Sequence, residues 1–538
     1  MKKLHFASAL SSKSFAKAWK FDLISGFQVF LIALPLSLGI AIASGFPPMA
    51  GIVAAIIGGT IVSRLSGSHV TINGPAAGLI VVILSGVETL GHGDMALGYK
   101  LTLAAIVCAG VLQIAFGVLK VGKLAAPFPV AAVHGMMAAI GMIIIVKQFP
   151  VMIGVTSKAS SIFGLIMQIP TMLLQANPLI ALVGITSLFI IVILRFIDNP
   201  ATKLIPAPII VVTLAALVAV LAHIGVNGTY AFAGYTFDLG PKYLVPLPTE
   251  VFSKLEFPDF SQVFAKDFII VTITIALIAS LESLLSAAAI DKLDPCRRKT
   301  NLNKDLLAVG IGTTLSGLLG GLPMIAEVVR SSANISSGAK TGWSNFFHGI
   351  FLLMAILLFP NLISNIPLAA LAALLVYTGF RLASPREIKK VKDIGYDQLI
   401  IFLTTLIAVL ATDILIGIAI GIVVKIVLHL LRQVSPISMV RCIYTVNNKG
   451  NGRYTIEVLS PLVFSNLLPL LGTFERIPKD SRVNVDLTAA TFIDHTAMDK
   501  LHDLQREFSL EGGMLILRET QKHLKYASHN LAARRLRI

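Results

Sequence analysis

Charge is scarce in this sequence. Of its 538 residues only 13% are Asp, Glu, Lys or Arg, against roughly 25% in an ordinary soluble domain. A chain so poor in charge cannot cover a water-soluble fold of this size, and that class is excluded. Cysteine is scarcer still. Cys108, Cys296 and Cys442 lie far apart and lack metal-ligand spacing, so free thiols are expected and no disulfide framework. Acidic residues are few beside basic ones, 28 against 44, for a formal charge of +16. In a membrane protein that excess says little about nucleic acid, because Lys and Arg collect on the cytoplasmic side and fix orientation. A Walker-type phosphate loop, paired catalytic carboxylates and a metal-ligand cluster are all missing from the sequence. Those absences leave an enzyme without a basis, and no cofactor is expected.

What the chain has instead is apolar length. Hydrophobic residues make up 55% of it and the mean hydropathy is +0.83, so most of it belongs in lipid. Apolar segments fall at 21–43, 50–66, 74–86, 98–119, 126–146, 178–197, 206–223, 267–290, 305–319, 325–335, 346–360, 366–380, 397–412 and 414–431, fourteen in all. The last two are divided by length. One helix over 398–431 would run about 50 Å, whereas the hydrocarbon core is about 30 Å thick. A hairpin is therefore expected near Thr412 and Asp413. The first segment is longer than the roughly 7–15 residues of a signal core and holds Pro35, so it reads as a membrane helix and not a cleaved signal.

Fourteen crossings put both termini on one side. Arg381, Arg386, Lys389, Lys390 and Lys392 follow segment 12; Lys292, Arg297, Arg298, Lys299 and Lys304 follow segment 8; Lys120 and Lys123 follow segment 4. All fall on the side of the N-terminus, hence cytoplasmic. The 224–266 loop falls outside, with Lys242, Lys254 and Lys266 against Asp238, Glu250, Glu256 and Asp259. The expected location is the inner (plasma) membrane, multi-pass, after a cytosolic segment at 1–20.

Segments 3 and 10 are too short to span. Each follows a Gly/Pro break, "NGPAAGL" in one and "GGLPMIAE" in the other. As third and tenth of fourteen they hold corresponding places in two halves of seven, the sequence mark of a midplane site built from inverted repeats. Half-helix N-termini carry unpaired N–H groups and partial positive charge, so two of them facing each other make an anion site. The donors expected are amides near Ala76, Ala77, Ala326, Glu327 and Val328, with the Asn73 side chain in support. The small Gly74, Ala76, Ala77 and Ala326 would allow close approach.

Two carboxylates stand out. Glu282 lies near the middle of segment 8, "IALIASLESLLSAAAIDKL", with Ser286 one turn on. The pair suits a proton site, a Na+ site of oxygen ligands, or a neutral Glu hydrogen-bonded between helices. Glu327 and Arg330 are spaced to pair along one helix face. Mutual neutralisation as a structural pair is the bland reading; the functional one is that Arg330 makes a cavity positive while Glu327 balances it, binds a coupled cation or, protonated, donates to the anion. His134 reads as a packing imidazole, His69 and His348 as interfacial, and Asp413 as a solvated hairpin tip.

After Pro436 the composition changes. "RYTIEVLSPLVFSN", "SRVNVDLTAATFIDHTAMDKL" and "GGMLILRE" are short β-rich runs between amphipathic helical stretches. They predict a small cytosolic α/β domain over 436–538, with a helix capped near Asp494. Its last stretch, 519–538, reads as a basic tail near an anionic membrane surface.

These motifs together resemble the SulP-type inorganic anion transporters, relatives of the animal exchangers that include prestin. The resemblance runs through "NGPAAG", "LESLLSAA", "GLLGGLP", "VVRSSANISSGAKT" and a C-terminal part similar to STAS domains. It implies an all-α polytopic fold of fourteen segments in a 7+7 inverted repeat, like that of uracil permeases. Segments 1–4 and 8–11 would form a core and 5–7 and 12–14 a gate, within a transport domain at 21–435. It further implies elevator-like motion and homodimers. By analogy with the family's cyanobacterial bicarbonate member, Glu282 and Ser286 fall where an acid and a hydroxyl hold Na+. Asn73 falls on a bicarbonate contact, and Ala326, Glu327 and Val328 fall on the segment-10 site. Arg330 falls on an Arg near the anion in the prestin-like branch. Glu282 stands where the Na+-binding member has Asp, a change that leans toward protons. His495 replaces the usual phosphorylatable hydroxyl of the STAS-like domain, leaving Thr496 as the regulatory candidate. The function implied is secondary transport of a small inorganic anion, bicarbonate first, coupled to Na+ or H+. The alternatives are sulfate or a dicarboxylate as substrate, an uncoupled anion channel, and a membrane-tethered regulatory module.

Overall fold

The computed structural model describes residues 12–122, 129–156, 162–197, 205–246, 256–296, 298–518 and 523–537. The chain forms two compact units, one of Met1–Gly122 with Ile140–Arg381 and the other of Lys123–Ala139 with Leu382–Ile538. Each of the fourteen expected apolar segments coincides with a helix.

The first unit begins with α1 (Ser12–Ala43) and α2 (Pro48–Ile57), which runs on through a wide π-type turn at Gly58–Val62. A two-residue strand β1 (Asn73–Gly74) then precedes one 3-10 turn and α3 (Ile80–Gly91). There follow α4 (Met95–Val118), α5 (Val130–Met152), α6 (Ile162–Leu174), α7 (Pro178–Leu194) and α8 (Ala207–Leu221). A hairpin of β2 (Gly228–Phe232) and β3 (Tyr235–Leu239) leads to α9 (Lys266–Leu293) and α10 (Leu302–Leu318). A second two-residue strand, β4 (Ile325–Ala326), opens α11 (Val328–Ser336), followed by α12 (Trp343–Leu358) and α13 (Leu368–Leu382).

Length decides which helices can span. Among the described residues seven helices are long and apolar enough to cross a bilayer, and α6 with α7 forms an eighth only as a pair bent by 117°. The helix α6 is absent from the expected segments, because Gln168 and Pro170 interrupt its apolar run. Its break from α7 has a local cause. Pro178 starts the new helix, and the Asn177 carboxamide accepts from Ile180 N at 3.3 Å. Helices α4 and α10 pack through glycine. A methyl group on Gly110 would lie 2.9 Å from the Gly310 carbonyl and 2.6 Å from Thr314 N. In lipid there is little hydrophobic drive between helices, so such small-residue contacts supply the packing.

In the second unit an amphipathic helix α14 (Pro385–Ile394) precedes the hairpin of α15 (Tyr396–Ala411) and α16 (Ile414–Leu431). The hairpin turns where length required it, and exposed Asp413 caps α16 by accepting from Ile416 N at 2.8 Å. Beyond lies a four-stranded sheet of β5 (Tyr444–Asn448), β6 (Arg453–Val458), β7 (Arg482–Asp486) and β9 (Met514–Arg518), in that spatial order. The first pair is antiparallel and the others parallel, with α17 (Leu468–Arg476) and α18 (His495–Leu510) as crossovers. Val483, Val485, Ile456, Phe474 and Phe508 fill the core between them. The stretch expected to be a basic tail is folded where it is described. Strands β10 (His523–Lys525) and β11 (Arg534–Leu536) form a small sheet with β8 (Phe492–Ile493), and Arg534 is buried in it. Residues 519–522 and 538 lie outside the described residues.

Candidate functional site

The two Gly/Pro breaks meet. Strands β1 and β4 pair antiparallel, with Asn73 opposite Ala326 and Gly74 opposite Ile325. Pro75 follows β1 and can donate nothing to the pairing, so the ladder stops there. Beyond it Ala76 stays extended, at φ −107° and ψ 140°, and the helical path starts at Ala77. Across the pair Glu327 is also extended and α11 starts at Val328. More bonds tie the breaks together. Glu327 N donates to Ile72 O at 2.9 Å, Ile72 N to Ser331 Oγ at 2.8 Å, and Ala326 N to Ser283 Oγ at 3.1 Å. Two helix starts are therefore held side by side, each with first-turn N–H groups that its own helix cannot use.

Arg330 lies at this junction with its whole side chain sealed, at 0% exposure. Nη2 donates to Pro75 O at 3.3 Å, while Nε and Nη1 have no partner among the described residues. Nη1 lies over Gly74, where a methyl group would come within 2.8 Å of it. The Glu327–Arg330 side-chain pair that the spacing allows does not form among the described residues. Glu327 stands outside the helix as its N-cap, and its carboxylate accepts from the Arg330 backbone N at 3.3 Å. The spacing argument assumed a helix at both positions, and the helix begins one residue too late for it.

Glu282, on α9, points its carboxylate at Gly78, where any Cβ would collide with it. Its Oε2 is buried and without a partner among the described residues. Ser286 is buried one turn further along the same helix. Asn73, Gly74, Ala76, Ala77 and Ala326 are buried at the junction, and Val328 is half-buried. Three residues the sequence did not single out belong here. Ser283 anchors β4, Ser331 anchors Ile72, and Asn345 of α12 reaches the Asn73 carboxamide at 3.2 Å. The polar spacing along "VVRSSANISSG" was the one signal for Ser331. His348, expected at an interface, is fully buried, and both ring nitrogens are unpartnered among the described residues. His134 sits 3.7 Å from Glu387.

Thr496, the regulatory candidate, is sealed at 0% exposure. Its hydroxyl accepts from Lys425 Nζ of α16 at 2.8 Å. The same Nζ lies 3.0 Å from Asp494 Oδ2. Burial pushes the Asp494 carboxyl up, but Lys425, His429 and the helix amide of Ala497 outweigh it and hold the group below the usual carboxylate range.

A sealed guanidinium beside two helix starts is chemistry that could attract an anion, and a buried carboxylate is chemistry that could take a proton or a cation. Comparison with known proteins gives the family. The family model described as the sulfate permease family matches residues 19–405. A protein named bicarbonate transporter BicA from Picosynechococcus sp. is 26% identical over 77% of this chain and 70% of its own length. A putative sulfate transporter, YvdB from Bacillus subtilis, is 25% identical over 94% of this chain and 93% of its own. The solved transmembrane domain of a cyanobacterial BicA superposes with a TM-score of 0.63 at 25% identity, covering 77% of this chain and 99% of that one. The structure of SLC26A9 matches in fold, with a TM-score of 0.68 at 14% identity over 94% of this chain and 84% of that one.

Proposed function

The chain belongs to the sulfate permease family, and from that premise we propose that it is a secondary active transporter carrying bicarbonate, with sulfate as the second reading, coupled to H+ or Na+. That it is a membrane anion transporter and not an enzyme follows from the family. The observation that carries the finer reading is the Arg330 guanidinium, fully buried between two paired helix starts with Nε and Nη1 unpartnered. An isolated buried charge is costly, and a bound anion would relieve that cost. The acid–hydroxyl pair Glu282 and Ser286 and the match to the BicA membrane domain support bicarbonate. The Bacillus relative, named for sulfate and matched almost end to end, supports the alternative.

Glu282 is the coupling group in this reading. Its unpartnered Oε2 suits a proton, and the carboxylate with the Ser286 hydroxyl offers the oxygen donors that Na+ prefers. An uncoupled channel has no use for such a carboxylate. The two halves act as inverted repeats, segments 1–4 and 8–11 moving as an elevator core against a gate of 5–7 and 12–14, in a homodimer. The C-terminal domain is a STAS-like regulator. The test is uptake into proteoliposomes with bicarbonate, sulfate, chloride and fumarate in competition, with and without Na+ and across a pH gradient. Cation-driven uptake blocked best by bicarbonate or sulfate is expected; uptake indifferent to both gradients would overturn the coupled reading. Glu282→Gln should abolish the cation dependence, and a variant with the native pH and Na+ response would remove Glu282 from the mechanism.

A further inference from the structure

Asn345 carries no role in the reading above, yet its contacts determine which way the Asn73 side chain faces. It lies on α12, fully buried, where that helix crosses the wide turn Gly58–Val62. The crossing is tight because Gly59 meets Gly349 backbone to backbone, a methyl on Gly59 coming within 2.6 Å of Gly349 Cα. The wide turn brings Ser63 N to the Gly58 carbonyl. That carbonyl also accepts from Asn345 Nδ2 at 3.2 Å.

A backbone carbonyl only accepts hydrogen bonds. The atom of Asn345 that meets it must therefore be the amide nitrogen, and this fixes the Asn345 carboxamide. The same Nδ2 lies 3.2 Å from the Asn73 side chain. The Asn73 atom facing a donor must be its oxygen, so Asn73 is fixed as well. Turning Asn345 over would set its oxygen against two oxygens, and turning Asn73 over would set donor against donor. The consequence is that Asn73 presents its NH2 group on the other side, fully buried and without a partner among the described residues. One residue along the chain, Gly74 lies under the unpartnered Arg330 Nη1.

We propose that Asn345 is a positioning residue for anion recognition, acting through Asn73 by holding its NH2 toward the ligand. The proposal rests on the anion-site reading given above. Gly58 O is the fixed reference, Asn345 transmits its polarity, and Asn73 presents it at the β1–β4 junction. The ligand class is an anion with free lone pairs facing two nitrogen donors, which bicarbonate and sulfate both supply.

The experiment is a double-mutant cycle on the full-length protein in proteoliposomes, with radiolabelled bicarbonate and radiolabelled sulfate as probes. Asn345→Ala should raise the KM of the transported anion by about five- to tenfold, the range of one hydrogen bond, with the maximal rate within about twofold. In an Asn73→Ala background the same substitution should change KM by less than about twofold, because its route of action is gone. A purely structural role would instead give the same loss in both backgrounds, and that result overturns the proposal. So does an unchanged KM for Asn345→Ala while Asn73→Ala raises it. If Asn73→Ala itself leaves KM unchanged, the site reading fails with it. Where Asn345→Ala does not yield monodisperse protein, Asn345→Asp runs the same cycle. It keeps the shape, cannot offer an NH2 to Gly58 O, and should raise KM only where Asn73 is present.

Discussion

Arg330 and Lys425 are both buried cations, and the molecule surrounds them in different ways. Lys425 has a full set of partners: Asp494 Oδ2 at 3.0 Å, the Thr496 hydroxyl at 2.8 Å and the Phe464 ring face at 4.4 Å. Its counter-ion is equally occupied, Asp494 also accepting from Ala497 N at 2.7 Å and Phe464 N at 3.0 Å. Arg330 has one bond, to a carbonyl, and no carboxylate within ion-pair distance among the described residues. A cation whose partners are all built in is architecture, here joining α16 to the C-terminal domain. A cation whose partners are missing is, in the function proposed above, a receptor. The difference also bears on regulation. Thr496 is committed to Lys425, so a kinase could modify it only after that contact had opened.

The comparison is broken most directly by neutralising each cation. Lys425→Ala leaves Asp494 buried and unpaired, and removing one partner of a buried pair costs about 3–5 kcal/mol. The thermal midpoint of the full-length protein in detergent should drop sharply, and an unchanged midpoint would mean the pair is idle. Arg330→Gln should act in the opposite sense on stability. It removes an unpaired buried charge, so melting in gluconate buffer should hold or rise. Anion binding should weaken by about 10–100-fold, the worth of hydrogen bonds from a charged group. Calorimetric titration with bicarbonate or sulfate measures it. If Arg330→Gln melts as early as Lys425→Ala and binds anions normally, the two cations are alike and the receptor reading falls.

The sequence made one of these two regions readable. "NGPAAGL" and "GGLPMIAE" announce broken helices because Gly and Pro interrupt apolar runs, and matching positions in two halves suggest that the breaks meet. The breaks do meet, through a β1–β4 pairing of Asn73 with Ala326 that the sequence did not mark. The role of Glu327 was out of reach, since one residue's difference in where α11 starts turns a side-chain pair into a cap. Lys425 lies in an unbroken apolar run, and the hydroxyl it meets is 71 residues away in another domain; no local pattern marks such a contact. His348 reads as interfacial and Asn345 carries no local mark, and only tertiary packing turns them inward. The α6 helix went unseen because Gln168 and Pro170 interrupt a short apolar run.

The finest test uses acid in place of mutation. The folded Asp494 carboxyl is held below its usual range, with burial opposing and Lys425 and His429 prevailing. A group depressed on folding stabilises the native state above its unfolded pKa, about 3.9 for Asp. That contribution is lost as pH falls through the folded value. The window therefore lies below about pH 4, and stability falls as pH falls. Other carboxylates titrate in the same window, so the informative quantity is a difference between two proteins. With Lys425→Met the main attraction on Asp494 is gone, and its carboxyl has less reason to stay ionised. The melting midpoint of the native chain should drop more steeply between about pH 5 and about pH 3 than that of the variant. The effect is smaller than that of Lys425→Ala at neutral pH, because protonated Asp494 can keep one oxygen on the helix amide of Ala497. Parallel acid curves for the two proteins would show that Lys425 does not set the charge state of Asp494, and the contrast with Arg330 would then rest on geometry alone.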